Sequence, residues 1–439
     1  MDQRGIGGRL VAVDVLRAVA IAWVVVFHLW GDLEFFPGAP REYYEQLTWQ
    51  FRQGNGAWAA LTSFTDLLFR DGFQGVPLFM MISGLSLTVA AYRAPGTMRF
   101  PRLPATMLGR FRKLLVPYWA GVALTYGVIG AIAWRQSAIS GASFTAMFGQ
   151  GVTISRASLI EVDRETVLAS VLLVPRLLGP QHFFAPQLAL WFVGLLAQYY
   201  LLFPLLFALL RRIGVVPFVL GTFAGTVAAN WWIVDQYGAP EFKFWLVTGW
   251  APFRLFEFTA GMGIGWLLAS PDARPWLRAA RHPAVITLVI IAGFAAHTAG
   301  DLLIGRWTVR YWQSLALPLA TLGLACWALA VVAAWPRGWQ GGPLVGAVTT
   351  FGVMSYGILI VSDIMRLVAS QLRVEDVSDP VWWTFLTAVY VPASVALAWP
   401  LCRLLGLMPR SRHAVAVGEL IGADGRSAAV ASAGVAGGG

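Results

Sequence analysis

The first long apolar run of the sequence, VAVDVLRAVAIAWVVVFHLW, carries three ionisable residues, Asp14, Arg17 and His28. At about 100° per residue, the eleven positions from Arg17 to His28 return the two side chains to nearly one helix face, about 16 Å apart along the axis. An ionisable side chain inside a membrane costs a few kcal/mol, so such residues are functional candidates. Imidazole suits general-base catalysis near neutral pH, and guanidinium suits the binding of anions. We therefore expect Arg17 and His28 to share a polar stripe that lines a passage, with Val24 between them.

Local ion pairing is the competing interpretation of these residues. Asp14 precedes Arg17 by three positions and can pair with it on one helix face, and Asp32 follows His28 by four and can orient the imidazole. Arg254 and Glu257 stand three apart in a later apolar run and can also pair. A purely structural role therefore stays open for each residue.

The elements that must position these residues are membrane-spanning helices. Apolar residues make up 58% of the sequence and charged residues only 12%, and the mean hydropathy is +0.66. Apolar runs of about 20 residues, long enough to cross the hydrocarbon core, recur along the whole chain. The sequence predicts an all-α polytopic membrane protein with ten spans, at roughly 10–30, 72–92, 114–134, 187–209, 214–234, 251–269, 284–299, 313–335, 344–362 and 381–407. Residues 1–413 form one transmembrane domain, and 414–439 a disordered tail.

The distribution of charge predicts the orientation of these spans. Ten spans place both termini on one side, and that side carries most of the lysines and arginines, so we expect it to be cytoplasmic. The net charge of +10 is then explained by the excess of basic residues on the cytoplasmic side and does not indicate nucleic-acid binding. The densest basic cluster, which includes Arg110, Arg112 and Lys113, precedes the third span. The two cysteines, Cys326 and Cys402, lack the spacing of a disulfide framework or a metal site, and we expect no metal.

Several sequence blocks, taken together, resemble the membrane acyltransferase 3 family. Its first span carries an arginine, ten residues and then a histidine, as Arg17 and His28 do here. Further blocks follow in the family's order, namely GVPLFMMISGLSLT with Ser83, GRFRKLLVPYW, LALWFVGLLAQYYLLFPLL with Trp191, RLFEFTAGM, and FGVMSYGILI with Tyr356. The resemblance extends from residue 14 to about 365.

This resemblance implies transfer of an acyl group, commonly acetyl, from cytoplasmic acyl-CoA to a hydroxyl of a glycan, lipid or small molecule. Acyl-CoA is then a substrate, and no permanently bound cofactor is expected. By the same resemblance His28 is the catalytic base, while Arg17, Arg110, Arg112 and Lys113 bind the phosphates of CoA. The implied location is the bacterial inner membrane, with O-acetylation serving the cell envelope.

The sequence departs from the family pattern at two places. The paired arginines before the third span appear either as Arg110 with Lys113 or as Arg110 with Arg112 at a different spacing. Many members carry a histidine shortly after the Ser-Tyr block, where this chain has Val361-Ser362-Asp363. Asp363 is therefore the local candidate for a partner of His28.

A proton-coupled transporter or flippase is the alternative function. Buried Arg, His and Glu side chains serve proton or anion pathways in such proteins. Many secondary transporters, however, contain inverted repeats with broken spans, and the sequence shows no convincing repeat. The sequence therefore favours an acyltransferase.

Overall fold

The computed structural model describes residues 11–31, 71–93, 96, 102–149, 152–155, 158–160, 162–174, 182, 185–187, 190–237, 249–304, 313–335, 342–371 and 385–408. Nearly all of them are helical, which confirms the predicted all-α class. A two-stranded antiparallel hairpin, β1 (Val152–Ser155) with β2 (Ser158–Ile160), is the exception within this part of the chain. Asp32 and the predicted tail at 414–439 lie outside the described residues.

The helices are numbered here in chain order. They are α1 (Val11–Gly31), α2 (Gly75–Arg93), α3 (Arg102–Ser140), α4 (Phe144–Gly149), α5 (Arg164–Val171), α6 (Trp191–Ile213), α7 (Val215–Tyr237), α8 (Ala251–Ala269), α9 (Arg274–Ala280), α10 (Pro283–Ile304), α11 (Gln313–Ala334), α12 (Pro343–Val353), α13 (Ser355–Ser370) and α14 (Val391–Leu404). A 3-10 turn at Asp71–Gln74 precedes α2, another at Pro271–Ala273 precedes α9, and a π-helical turn at Leu386–Tyr390 precedes α14.

Eight of the described helices, counting the turns that extend α2 and α14, are long and apolar enough to cross a membrane. The pair α12 and α13 makes a ninth span if its two halves, bent by 66°, are counted together. The sixth predicted span coincides with helix α8, whose hydropathy is lowered by Arg254 and Glu257, and α8 is not among those nine. The structure thus supports a polytopic protein without confirming the count of ten.

The outer surface of the bundle is as apolar as a lipid-facing surface must be. Leu201 and Leu205 on α6, Leu220 on α7 and Leu288 on α10 are each more than 60% exposed. Exposed apolar patches of this kind are rare on soluble monomers and mark contact with membrane or protein. Since lipid tails are as apolar as these side chains, helix association must rest on close packing and internal polar contacts.

A close helix contact joins α2 to α8 and depends on glycine. A Cβ atom at Gly261 would overlap the backbone of Met81, and one at Gly84 would overlap the carbonyl of Phe258. The small residues that follow Glu257 therefore serve helix packing. Helix α1 also packs against α2, and it contacts α12 and α13 as well.

The described part of the long segment between α3 and α6 folds back onto α3. Asp163 caps α5 by accepting a hydrogen bond from the Thr166 amide at 2.5 Å, and this bond holds the pKa of the Asp163 carboxyl below its usual range. The Tyr118 hydroxyl of α3 donates to the Ser170 carbonyl at 2.6 Å. The segment is therefore anchored to the bundle, and β1 contacts α13 beside it.

Candidate active site

A cavity of about 280 Å³ lies between α1, α2, α3, α6 and the bent pair α12 and α13. Its apolar walls include Phe79, Phe192 and Leu359. Its polar lining consists of Arg17, Ser83, Arg110, Lys113, Tyr200, Ser355 and Tyr356. The cavity thus brings together Arg17 of the first-span motif and residues from four of the five further sequence blocks that carry the family resemblance. It combines three cations with a narrow apolar interior.

Arg17 faces this cavity and is also held by an ion pair. Its guanidinium donates to Asp14 Oδ1 at 3.2 Å and approaches the Ser86 hydroxyl at 3.5 Å. The Arg17 side chain nevertheless remains 35% exposed, whereas that of Asp14 is buried. The two interpretations of the sequence are therefore compatible, because Asp14 orients a guanidinium that still reaches the cavity.

The structure separates the members of the basic cluster before the third span. Arg110 and Lys113 line the cavity, whereas Arg112 is exposed and does not line it. The reason is helical periodicity, since residues three apart share a face and residues two apart do not. The geometry therefore favours Arg110 with Lys113 as the cationic pair.

Tyr356 joins the bent helix pair to α3 at the cavity wall. Its hydroxyl donates to the Leu114 carbonyl at 2.8 Å. Just before the bend, α12 packs closely against α1, where a Cβ at Gly352 would overlap the Asp14 carbonyl. Tyr200 completes this wall, with its ring edge-to-face against Phe111 at 5.9 Å. The break between α12 and α13 thus positions the cavity lining.

His28 lies in the bundle interior, where α1 meets α13. The His28 Nδ1 atom is 3.9 Å from Asp363 Oδ1, and both side chains are buried. Arg366, one turn further along α13, donates to the same Asp363 oxygen at 2.8 Å and is buried as well. Asp363 therefore stands between a histidine and an arginine, as the local candidate for a partner of His28.

The cavity and His28 lie along the same two helices. On α13, Tyr356 and Leu359 line the cavity, and Asp363 follows them at the helical spacing that keeps it on the same side. On α1, Arg17 lines the cavity and His28 lies three turns further. Val24, the intermediate residue of the expected stripe, does not line the cavity, because it is 2% exposed and packs closely against Gly75 of α2.

Three further candidate site residues, Arg254, Glu257 and Trp191, form a group apart from the cavity. The Arg254 Nε atom donates to Glu257 at 2.7 Å, and the guanidinium lies 5.0 Å from the ring centre of Trp191. This ion pair follows the local pairing predicted from the spacing of three residues. None of the three lines the cavity of Arg17. Their geometry is that of a buried pair that joins α6 to α8.

Arg366 is the site residue that the sequence reasoning missed. The sequence feature that could have identified it is its position three residues after Asp363 inside an apolar run. Asp14 and Arg17 have the same spacing. The same segment is tied to α14, because the Tyr390 hydroxyl donates to the Ser362 carbonyl at 2.8 Å.

Comparison with known proteins identifies the family of the chain. A family model described as an acyltransferase domain matches residues 10–399. No curated protein and no solved structure matches the chain. The matched range contains His28, Asp363 and every residue that lines the cavity except Leu407. Because the match spans most of the 439 residues, the chain belongs to the membrane acyltransferase 3 family and is a multi-pass membrane acyltransferase.

Proposed function

We propose that the protein transfers an acyl group, acetyl in the simplest case, from cytoplasmic acyl-CoA to a hydroxyl of a glycan, lipid or small-molecule acceptor. Its place is the bacterial inner membrane, with both termini in the cytoplasm. The observation that carries the proposal is the cationic cavity of Arg17, Arg110 and Lys113, from which α1 and α13 lead to His28 and Asp363.

The cavity suits CoA because its charge and its walls match the two parts of that molecule. Guanidinium groups match phosphate oxygens in a planar fork, and an ammonium acts as a point charge beside them. The walls at Phe79, Phe192 and Leu359 suit the thin, uncharged arm that carries the thioester. CoA phosphates at Arg17, Arg110 and Lys113 would direct that arm into the bundle.

The reaction requires a base that removes the hydroxyl proton of the acceptor and a group that stabilises the protonated base. The acceptor oxygen attacks the thioester carbonyl as His28 removes the hydroxyl proton. The C–S bond then breaks, and the CoA sulfur leaves with the proton that His28 carried. Since Nδ1 of His28 faces Asp363, Nε2 is the atom that accepts the proton. The Asp363 carboxylate, held by Arg366, stabilises the resulting imidazolium.

Release of free CoA by the purified protein tests this function against transport. We expect slow release from acetyl-CoA with water as acceptor, faster release when hydroxyl acceptors are added, and no release by a His28→Ala variant. His282→Ala is the matched control, because His282 is an exposed histidine outside the cavity. If His28→Ala and wild type release CoA equally, the proposed function is wrong, and a transport role for the buried charges becomes the better account.

A further inference from the structure

A second group of ionisable side chains lies between the turn before α2 and helices α10 and α11. Asp71 belongs to that turn, and His297 and Asp301 are one helical turn apart on α10. The His297 Nε2 atom is 2.7 Å from Asp71 Oδ2 and 3.4 Å from Asp301 Oδ2. The His297 side chain is 8% exposed, and those of Asp71 and Asp301 are 11% and 30% exposed. Three metal-ligating atoms thus converge within 4.8 Å.

The opposite side of the imidazole determines what Nε2 can do. The His297 Nδ1 atom lies 3.2 Å from the Ala320 carbonyl of α11. A carbonyl oxygen only accepts, so Nδ1 must carry the hydrogen. Nε2 then has two states, either a second proton or a lone pair that points at two carboxylates. A lone pair facing two anions is repulsive unless a cation lies between them.

Charge balance limits what can occupy this position. With a proton on Nε2 and both carboxylates ionised, the cluster keeps a net charge of −1, and a buried net charge is costly in a low-dielectric interior. One divalent ion with a neutral imidazole removes this charge, as does a second proton on one of the carboxyls. The contacts of the imidazole must therefore decide between a metal ion and protons. A metal-binding histidine usually donates its other N–H to a carbonyl or carboxylate, as His297 does to Ala320.

We propose that Asp71, His297 and Asp301 bind one divalent transition-metal ion, with zinc as the representative chemistry. One imidazole nitrogen and two carboxylate oxygens are ligands that zinc accepts, and three protein ligands leave a fourth position for water or another oxygen ligand. A cavity of about 640 Å³ reaches the cluster and provides a route of entry. Its walls include Trp23, Phe294 and Trp327, and none of the described residues that line it also lines the cavity of Arg17. The site is therefore separate from the proposed CoA cavity.

Metal content and zinc titration of the full-length protein in detergent test this inference. After removal of metal with a chelator, titration with Zn²⁺ alone should show about one tight site per chain and raise the Tm of wild type. His297→Ala and Asp301→Asn should lose both effects. Asp301→His, which keeps a zinc ligand at this position, should retain zinc binding. His282→Ala is the control for an exposed histidine.

The possible results distinguish a bound metal ion from a bound proton, and both from misfolding of the variants. If wild type binds no more zinc than His297→Ala does, the inference is overturned and the cluster holds a proton. If the two ligand variants bind zinc as wild type does, the ion lies elsewhere and the inference also fails. If a ligand variant misfolds without metal, Asp301→His is measured in its place. A zinc-dependent rise in the Tm of Asp301→His supports the metal site, and no rise contradicts it.

Discussion

Asp363 on α13 places its Oδ1 atom 3.9 Å from Nδ1 of His28 on α1 and 2.8 Å from the Arg366 guanidinium. The first distance is that of an ion pair and exceeds the N···O range of a hydrogen bond, about 2.7–3.2 Å. Catalytic hydrogen bonds are often long before substrate binds, so this spacing suits a pair that tightens in the reacting complex. The proposed roles of His28 and Asp363 can therefore be tested by substitution of each residue.

Replacement of His28 by alanine should reduce acyl transfer by about 10²- to 10⁴-fold, because the reaction loses its general base. Binding of CoA should persist, since His28 does not line the cationic cavity. The measurement is single-turnover transfer from radiolabelled acetyl-CoA, with CoA affinity determined in parallel. A variant that keeps more than half of the wild-type rate contradicts the assignment.

Single removal of Asp363 or Arg366 should destabilise the protein by about 3–5 kcal/mol, because a buried charge loses its partner. The double variant Asp363→Leu with Arg366→Met should regain much of that stability, since apolar side chains replace both charges. It should remain inactive, because His28 has lost the carboxylate that orients it. Thermal unfolding and transfer rate are measured for all three variants. Recovery of activity together with stability would show that the ion pair is only structural.

Neutralising Arg110 and Lys113 together should weaken binding of acetyl-CoA by about tenfold or more, because charge-assisted hydrogen bonds to phosphate contribute about 1.5–3 kcal/mol each. Arg112→Gln should leave the affinity nearly unchanged, since Arg112 does not line the cavity. A short acetyl thioester without phosphates is the discriminating substrate, because its turnover should be equal in all variants. Equal effects of the Arg112 and Arg110 substitutions would contradict the proposed pair.

The donor should be used from one side of the membrane only. In sealed, oriented vesicles, acetyl-CoA on the cytoplasmic side should support transfer, and acetyl-CoA on the other side should not. Equal activity from the two sides would contradict an exclusively cytoplasmic entry of the donor.

Ser83→Trp should fill the cavity and reduce turnover of long acyl donors before it weakens binding of free CoA, whereas Ser83→Ala should have little effect. Ser83 is a suitable position because it lines the cavity. Val24 of the expected stripe is not suitable, because it packs against Gly75 and a larger side chain there would disturb the helices.

Gly261→Ala should destabilise the bundle by about 1–3 kcal/mol, because the added Cβ overlaps the Met81 backbone and forces α2 and α8 apart. Gly225→Ala on α7 is the matched control, since no described atom lies within 4 Å of the added Cβ. That variant should be unchanged or slightly more stable, because alanine favours helix more than glycine does. Thermal unfolding in detergent measures both. Equal stability of the two variants would contradict the close packing of α2 on α8.

Properties that depend on one segment at a time were predictable from the residues. Long apolar runs require helices in a membrane, because every backbone polar group must be satisfied within the segment. Helical periodicity relates positions on one helix, so it predicted the pairing of Arg17 with Asp14 and of Arg254 with Glu257. The same periodicity placed Arg17 and His28 on one stripe, and the family blocks were recognisable in order.

Properties that depend on which helix faces meet required the tertiary structure. A helix such as α2 is apolar around its whole circumference, so its sequence contains little information about the face that turns inward. Periodicity puts Arg110 and Lys113 on one face of α3 and Arg112 on another, but only packing decided which of these faces lines the cavity. Packing also decided that Val24 contacts α2. Packing also brought Asp363 to His28 and Asp71 to His297, which are remote in sequence. Periodicity relates residues along one axis, whereas contacts between axes depend on how all the helices fit together.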